Sequence, residues 1–156
     1  MSEILYEAIF RRKSIRKYEM KALELETLFE IEKQLRSLKP LRKDISFQVN
    51  IVLEEKMRGL ITFRAPYYLC FYSEKKDGYL ENAGYILQQM DLYFSAIGIG
   101  SCWLGMAKPP KELMETETGL NYIIMLAFGS TQEPLYRQSL DEFKRKSLVE
   151  ICDIAD

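Results

Sequence analysis

The stretch that decides the fold is DGYLENAGYILQQMDLYFSAIGIGSCWLG, residues 77–105. Asp77 and Gly78 open a helix, and Leu80, Ala83, Leu87, Met90 and Phe94 follow at helical spacing. Gly98 and Gly100 close it after Ile97, since glycine adopts a helix-ending backbone without steric cost. A helix this long and this apolar is expected to be the central packing element. Residues 101–106 read as a short strand or turn directly behind it.

Upstream, Phe47, Val49, Ile51 and Leu53 alternate with Ser46, Gln48 and Asn50, the pattern of a half-buried strand. The unbroken aromatic and apolar run from Tyr67 to Tyr72, after Pro66, reads as a buried strand. Downstream, Pro109 and Pro110 start a brief helix through Met114, and a further buried strand runs from Tyr122 to Phe128, ending at Gly129. Near the N-terminus, Ser2 caps a first helix that reaches Arg11 or Arg12. A second helix covers Leu23 to Leu38, with Leu25, Leu28, Phe29, Glu32 and Leu35 as its mostly apolar face, and Pro40 stops it. Residues 134–156 form a polar arm with an apolar end at Leu148, Val149 and Ile151. Strands and helices intermix without a βαβ rhythm, and no repeat or linker interrupts them. The expectation is one α+β domain, residues 1–156.

Composition narrows the chemistry. The chain has 156 residues with 22 basic and 23 acidic side chains, a formal net charge of −1, so no global field draws nucleic acid or an anionic membrane to it. Any anion site must be local. The absence of histidine removes triad-type nucleophile activation, imidazole acid–base work and the commonest metal ligand. Cys70, Cys102 and Cys152 are odd in number and lack zinc or redox spacing, so neither a metal site nor a disulfide framework is expected. Cys102 reads as inert packing without an activating cation. No signal segment or membrane span is legible, and a cytoplasmic location is expected. An enzyme without histidine is expected to import its reactive group as a cofactor.

Two basic clusters stand out: Arg11-Arg12-Lys13-Ser14-Ile15-Arg16-Lys17, and Lys144-Arg145-Lys146. Cations after a helix also suit a solvated last turn, and a short charge run also suits a surface. Gly98, Gly100 and Gly105 fit a cap and a close backbone approach, and do not make the dinucleotide-binding fingerprint. Trp103 fits either the core or a ring-stacking position.

Taken together, three segments resemble the FMN-dependent nitroreductase family. They are residues 9–18, residues 81–105 with Gly-Ser-Cys-Trp-Leu-Gly at their end, and residues 124–129 followed by Phe143-Lys144-Arg145-Lys146-Ser147-Leu148. The resemblance spans Leu5 to Ile151, and it is the order and spacing of the segments that is specific. It implies a central mixed or antiparallel sheet flanked by helices, in a homodimer with the flavin at the subunit interface and the C-terminal arm reaching the partner. By the same resemblance Arg12, Lys13 and Ser14 would contact phosphate and ribityl, and Arg145 and Lys146 the phosphate. Arg16 would lie near the flavin pyrimidine, where a cation stabilises charge developing on reduction. The backbone of Trp103, Leu104 and Gly105 would pass beside the ring system, with an amide N–H towards N5. Arg and Lys suit a phosphate of about two negative charges. Residues 37–44 do not match the family's Pro-Ser-x-x-Asn-type segment, and little chain separates Leu53 from Pro66.

The implied activity is electron transfer from NADH or NADPH through flavin N5 to an electron-poor aromatic or quinone-like small molecule, with no catalytic side chain required. A flavin-binding carrier or redox-responsive module without turnover is the alternative. A third reading is an interaction dimer whose basic patches bind nothing specific.

Overall fold

The computed structural model describes residues 2–57, 63–143 and 146–152. The main elements are α1 (Ser2–Arg11), α2 (Leu25–Arg36), β1 (Phe47–Leu53), β2 (Tyr67–Ser73), α3 (Tyr79–Ala96), β3 (Gly100–Leu104), β4 (Asn121–Gly129) and the short α4 (Leu148–Ile151). Short 3₁₀ turns occupy Glu54–Lys56, Lys111–Leu113 and Leu140–Phe143. The strands form one sheet in the order β1-β2-β4-β3, and every pairing is antiparallel. The architecture is α+β, as expected, with the sheet antiparallel throughout.

Period-two alternation sends the strand side chains to two cores. On one face Tyr67, Leu69 and Phe71 of β2 and Leu126 and Phe128 of β4 pack under α3 through Ile86, Leu87, Met90 and Phe94. The Phe94 and Phe128 rings stack at 4.6 Å between centroids. On the other face Tyr68, Cys70, Met125 and Ala127 are covered by non-helical chain, including Ile15, Tyr18, Met57 and Ala65. The residues between α1 and α2 are therefore a structural layer of the second core.

Two helix faces differ from the sequence expectation. In α2, Leu25 and Phe29 are 73% and 68% exposed, while Ile31 is buried and Leu28, Leu35 and Leu38 pack beside it. Residues 28, 31, 35 and 38 form a second apolar stripe of helical spacing, and the sheet selects that one. In α3, Leu80 in the first turn is exposed, although Ala83, Leu87, Met90 and Phe94 are buried.

Candidate functional site

The basic segment that follows α1 is pinned along its length. Ile15 is fully buried, and its amide donates to the Ser101 carbonyl at 2.9 Å, with Ser14 bridged in parallel to Ser101. Gly100 makes this approach possible, since a Cβ there would sit 2.9 Å from Ile15 Cγ2. Tyr18 is buried and donates its hydroxyl to the Ile15 carbonyl at 2.7 Å. Residues 130–137 run against the same segment. Arg12 bridges Tyr136 in antiparallel fashion, the Arg137 amide donates to the Arg11 carbonyl, and the Gln132 amide donates to the Lys17 carbonyl. The Glu133 carboxylate accepts the amides of Arg16 and Lys17 at 2.7 and 3.2 Å. Those amides hold its carboxyl below the usual glutamate range, against the opposing effect of burial, with Lys13 and Lys17 adding to the depression.

Side chains along β3 divide by parity. Ser101 and Trp103 turn towards α3, where both meet Asp91, a fully buried carboxylate. Ser101 Oγ donates to Asp91 Oδ1 at 2.6 Å, and Trp103 Nε1 donates to Oδ2 at 3.1 Å. Gln88, one turn earlier in α3, donates to Oδ2 at 3.4 Å. Arg12 brings its Nε to 3.0 Å from the same Oδ2, its side chain 20% exposed. This contact is an ion pair without hydrogen-bond alignment, and Arg12 Nη2 is buried with no hydrogen-bond partner among the described residues.

Cys102 and Leu104 face the second core. Burial pushes the Cys102 thiol up, and the nearby Arg16, Ser14 and Arg12 only partly offset it. The sequence reading found no cation beside this cysteine. The fold supplies two, yet the net direction still describes an inert thiol. Beyond Leu104, Gly105 is exposed, and a Cβ built on it would meet nothing within 4 Å.

The structure thus sets Ser14 and Ile15 against Ser101, brings Arg12, Ser14 and Arg16 near Cys102, and ties Arg12 to Trp103 through Asp91. Trp103 is half-buried and packs against the helix-covered core, with its indole committed to Asp91. A cavity of about 480 Å³ opens beside Arg12, lined also by Ile9, Gln88, Leu92, Arg137 and Phe143. Phe143 lies under the Arg137 guanidinium at 4.0 Å. The C-terminal segment therefore reaches the Arg12 cavity at Phe143. Arg145, predicted to reach the phosphate, lies outside the described residues, and Lys146 is exposed.

Asp91, Glu133 and Arg137 were not among the residues singled out from the sequence. Asp91 had a legible signal: it is an acid set between Met90 and Leu92 in the stretch of the helix that carries its core residues, in a chain with a basic segment to answer it. Glu133 and Arg137 sit in a polar arm whose composition gives no such contrast.

A family model described as "Putative TM nitroreductase" matches residues 4–156. The chain belongs to the nitroreductase family. Solved nitroreductases share its fold at low sequence identity. A nitroreductase family protein from Clostridium difficile 630 is 18% identical with a TM-score of 0.72, over 96% of this chain and 97% of that one. An FMN-dependent nitroreductase from Clostridium difficile R20291 is 22% identical with a TM-score of 0.66, over 95% and 98%. A protein from Bacteroides thetaiotaomicron described as "Putative NADH dehydrogenase/NAD(P)H nitroreductase" is 20% identical with a TM-score of 0.67, over 92% and 96%. Comparison with curated proteins returns no match. No helix among the described residues of this nitroreductase is long and apolar enough to cross a membrane.

Proposed function

We propose that this nitroreductase binds FMN and passes electrons from NADH or NADPH to a small electron-poor acceptor of nitroaromatic or quinone type. The observation that carries the reading is the Arg12 guanidinium, largely buried at a cavity that also receives Arg137, with Nη2 lacking a hydrogen-bond partner among the described residues. A buried cationic donor of that kind suits a phosphate oxygen, because an unmet charged donor is costly to keep from water. The donor set therefore fits a flavin mononucleotide.

Arg12 would hold the phosphate end, with Lys13 and Ser14 beside it and Arg145 and Lys146 arriving from the C-terminal arm. Arg16 would place positive charge near the ring. Gly105 keeps the backbone after Leu104 free of a side chain where a flat ring system would pass. When bound, FMN would supply the two-electron chemistry, which suits a chain without histidine. The FMN and NAD(P)H in the names of similar structures support the assignment of cofactor and donor.

A homodimer belongs to this proposal. Ile4, Tyr6, Ile9 and Phe10 leave α1 with a large exposed apolar surface, and Ile151 in the C-terminal arm is 60% exposed. The first test is the visible spectrum of the purified protein after FMN addition and desalting, followed by NAD(P)H oxidation with a quinone acceptor. Retained flavin bands and steady nicotinamide consumption are expected. Retained flavin without consumption would favour the carrier reading, and a colourless protein would remove the assignment.

A further inference from the structure

Asp91 is fully buried, and it collects donors from three parts of the chain: Arg12 from the basic segment, Ser101 and Trp103 from β3, and Gln88 from α3. Such a buried ionic group is a poor way to stabilise a fold. Desolvation offsets much of the Coulombic gain, and an apolar residue of similar volume would serve the core as well. What Asp91 does achieve is geometric. Its ion pair with Nε holds the Arg12 guanidinium at the cavity wall, while Nη2 has no hydrogen-bond partner among the described residues. Hydrogen bonds from Ser101 and Trp103, at 2.6 and 3.1 Å, keep the carboxylate from following the arginine outward.

We infer that Asp91 is a positioning residue, holding Arg12 at the wall of the cavity shared with Arg137 so that its guanidinium is kept there for a phosphate monoester. This inference rests on the FMN reading above and deepens it. Asp91 touches no ligand and acts through Arg12. It also mechanically couples the phosphate end of the site to β3, since one carboxylate holds both Arg12 and the indole of Trp103. Without the carboxylate charge, the largely buried Arg12 has lost its counterion and turns towards water, taking its donors away from the cavity.

The test compares FMN with riboflavin, which has the same ring and ribityl chain but no phosphate. Both are titrated into the flavin-free full chain and its variants. The parent is expected to prefer FMN. Asp91→Asn is expected to weaken FMN binding about tenfold, as for loss of one charge-assisted contact, and to leave riboflavin binding unchanged. A merely structural role would weaken both flavins in proportion, and that result overturns the inference. An unchanged or tighter FMN affinity in Asp91→Asn overturns it as well. Trp103 is the single tryptophan, so its emission checks locally that the β3 end of the pair has been altered. Should Asp91→Asn fail to fold, the pair Asp91→Asn/Arg12→Gln removes both charges together and is compared with Arg12→Gln alone. The FMN preference must then be equal in the two, and a further loss in the double variant overturns the inference. A parent that binds neither flavin fails the functional reading itself, whereas a parent that prefers FMN beside an unaffected Asp91→Asn fails only this step.

Discussion

Glu133 shows how a single side chain shapes the basic segment. Its carboxylate closes on the amides of Arg16 and Lys17. Because those bonds depress its folded pKa below the unfolded glutamate value, the stability it contributes is present above that value and is lost as pH falls through the folded one. Glu133→Gln is expected to lower unfolding free energy at neutral pH by about 1 kcal/mol, the usual scale for weakened hydrogen bonds at a partly exposed site. Urea melts of the two proteins should converge only as the pH falls through the depressed folded pKa of Glu133, below the ordinary glutamate range. A difference that persists unchanged in acid would mean that the charge of Glu133 is not what holds the segment.

At the scale of elements, the contact that sets the site is the one between the basic segment and the start of β3. It requires a residue without a side chain at position 100, since Ile15 is fully buried and cannot yield to a Cβ placed 2.9 Å from its Cγ2. Gly100→Ala is expected to cost roughly 1–3 kcal/mol, the range for forcing extra volume into a packed interior. Because Ile15 is neighbour to Ser14, the displacement should also weaken FMN retention. Equilibrium unfolding and flavin titration on the same variant check both. An alanine variant as stable as the parent would show that the segment has room to move away from β3. The helices illustrate a second point at this scale. Sequence periodicity identified α2 correctly as a helix, but its two apolar stripes competed, and only the position of the sheet decided between Leu25–Phe29 and Leu28–Ile31–Leu35.

For the whole molecule, the exposed rings of Tyr6 and Phe10, packed edge to face at 5.3 Å, and the neighbouring Ile4 and Ile9 give α1 an outer apolar side that a monomer leaves in water. Sedimentation is expected to give twice the 18.3 kDa chain mass, and Phe10→Glu to release monomers with weaker flavin retention. FMN at one hundred times its dissociation constant should add about 2.7 kcal/mol of stability, which corresponds to a rise of roughly 5–10 °C in Tm for a chain of this size. A Tm indifferent to FMN would count against a specific site. The sequence by itself determined the order and type of the elements, the α+β class and the family, because these follow from local periodicity, glycine and proline punctuation, and the spacing of a few segments. The proposed flavin contacts of Arg12, Lys13, Ser14, Arg16 and residues 103–105 rest on the family resemblance in the sequence. Tertiary structure alone decided that Arg12 is committed to Asp91, that Trp103 turns into the helix-covered core, and that Glu133 and Arg137 belong to the same neighbourhood. Those facts depend on which face of each strand meets which helix, and hydrophobic pattern sorts apolar side chains between faces without saying which polar group meets which across the fold.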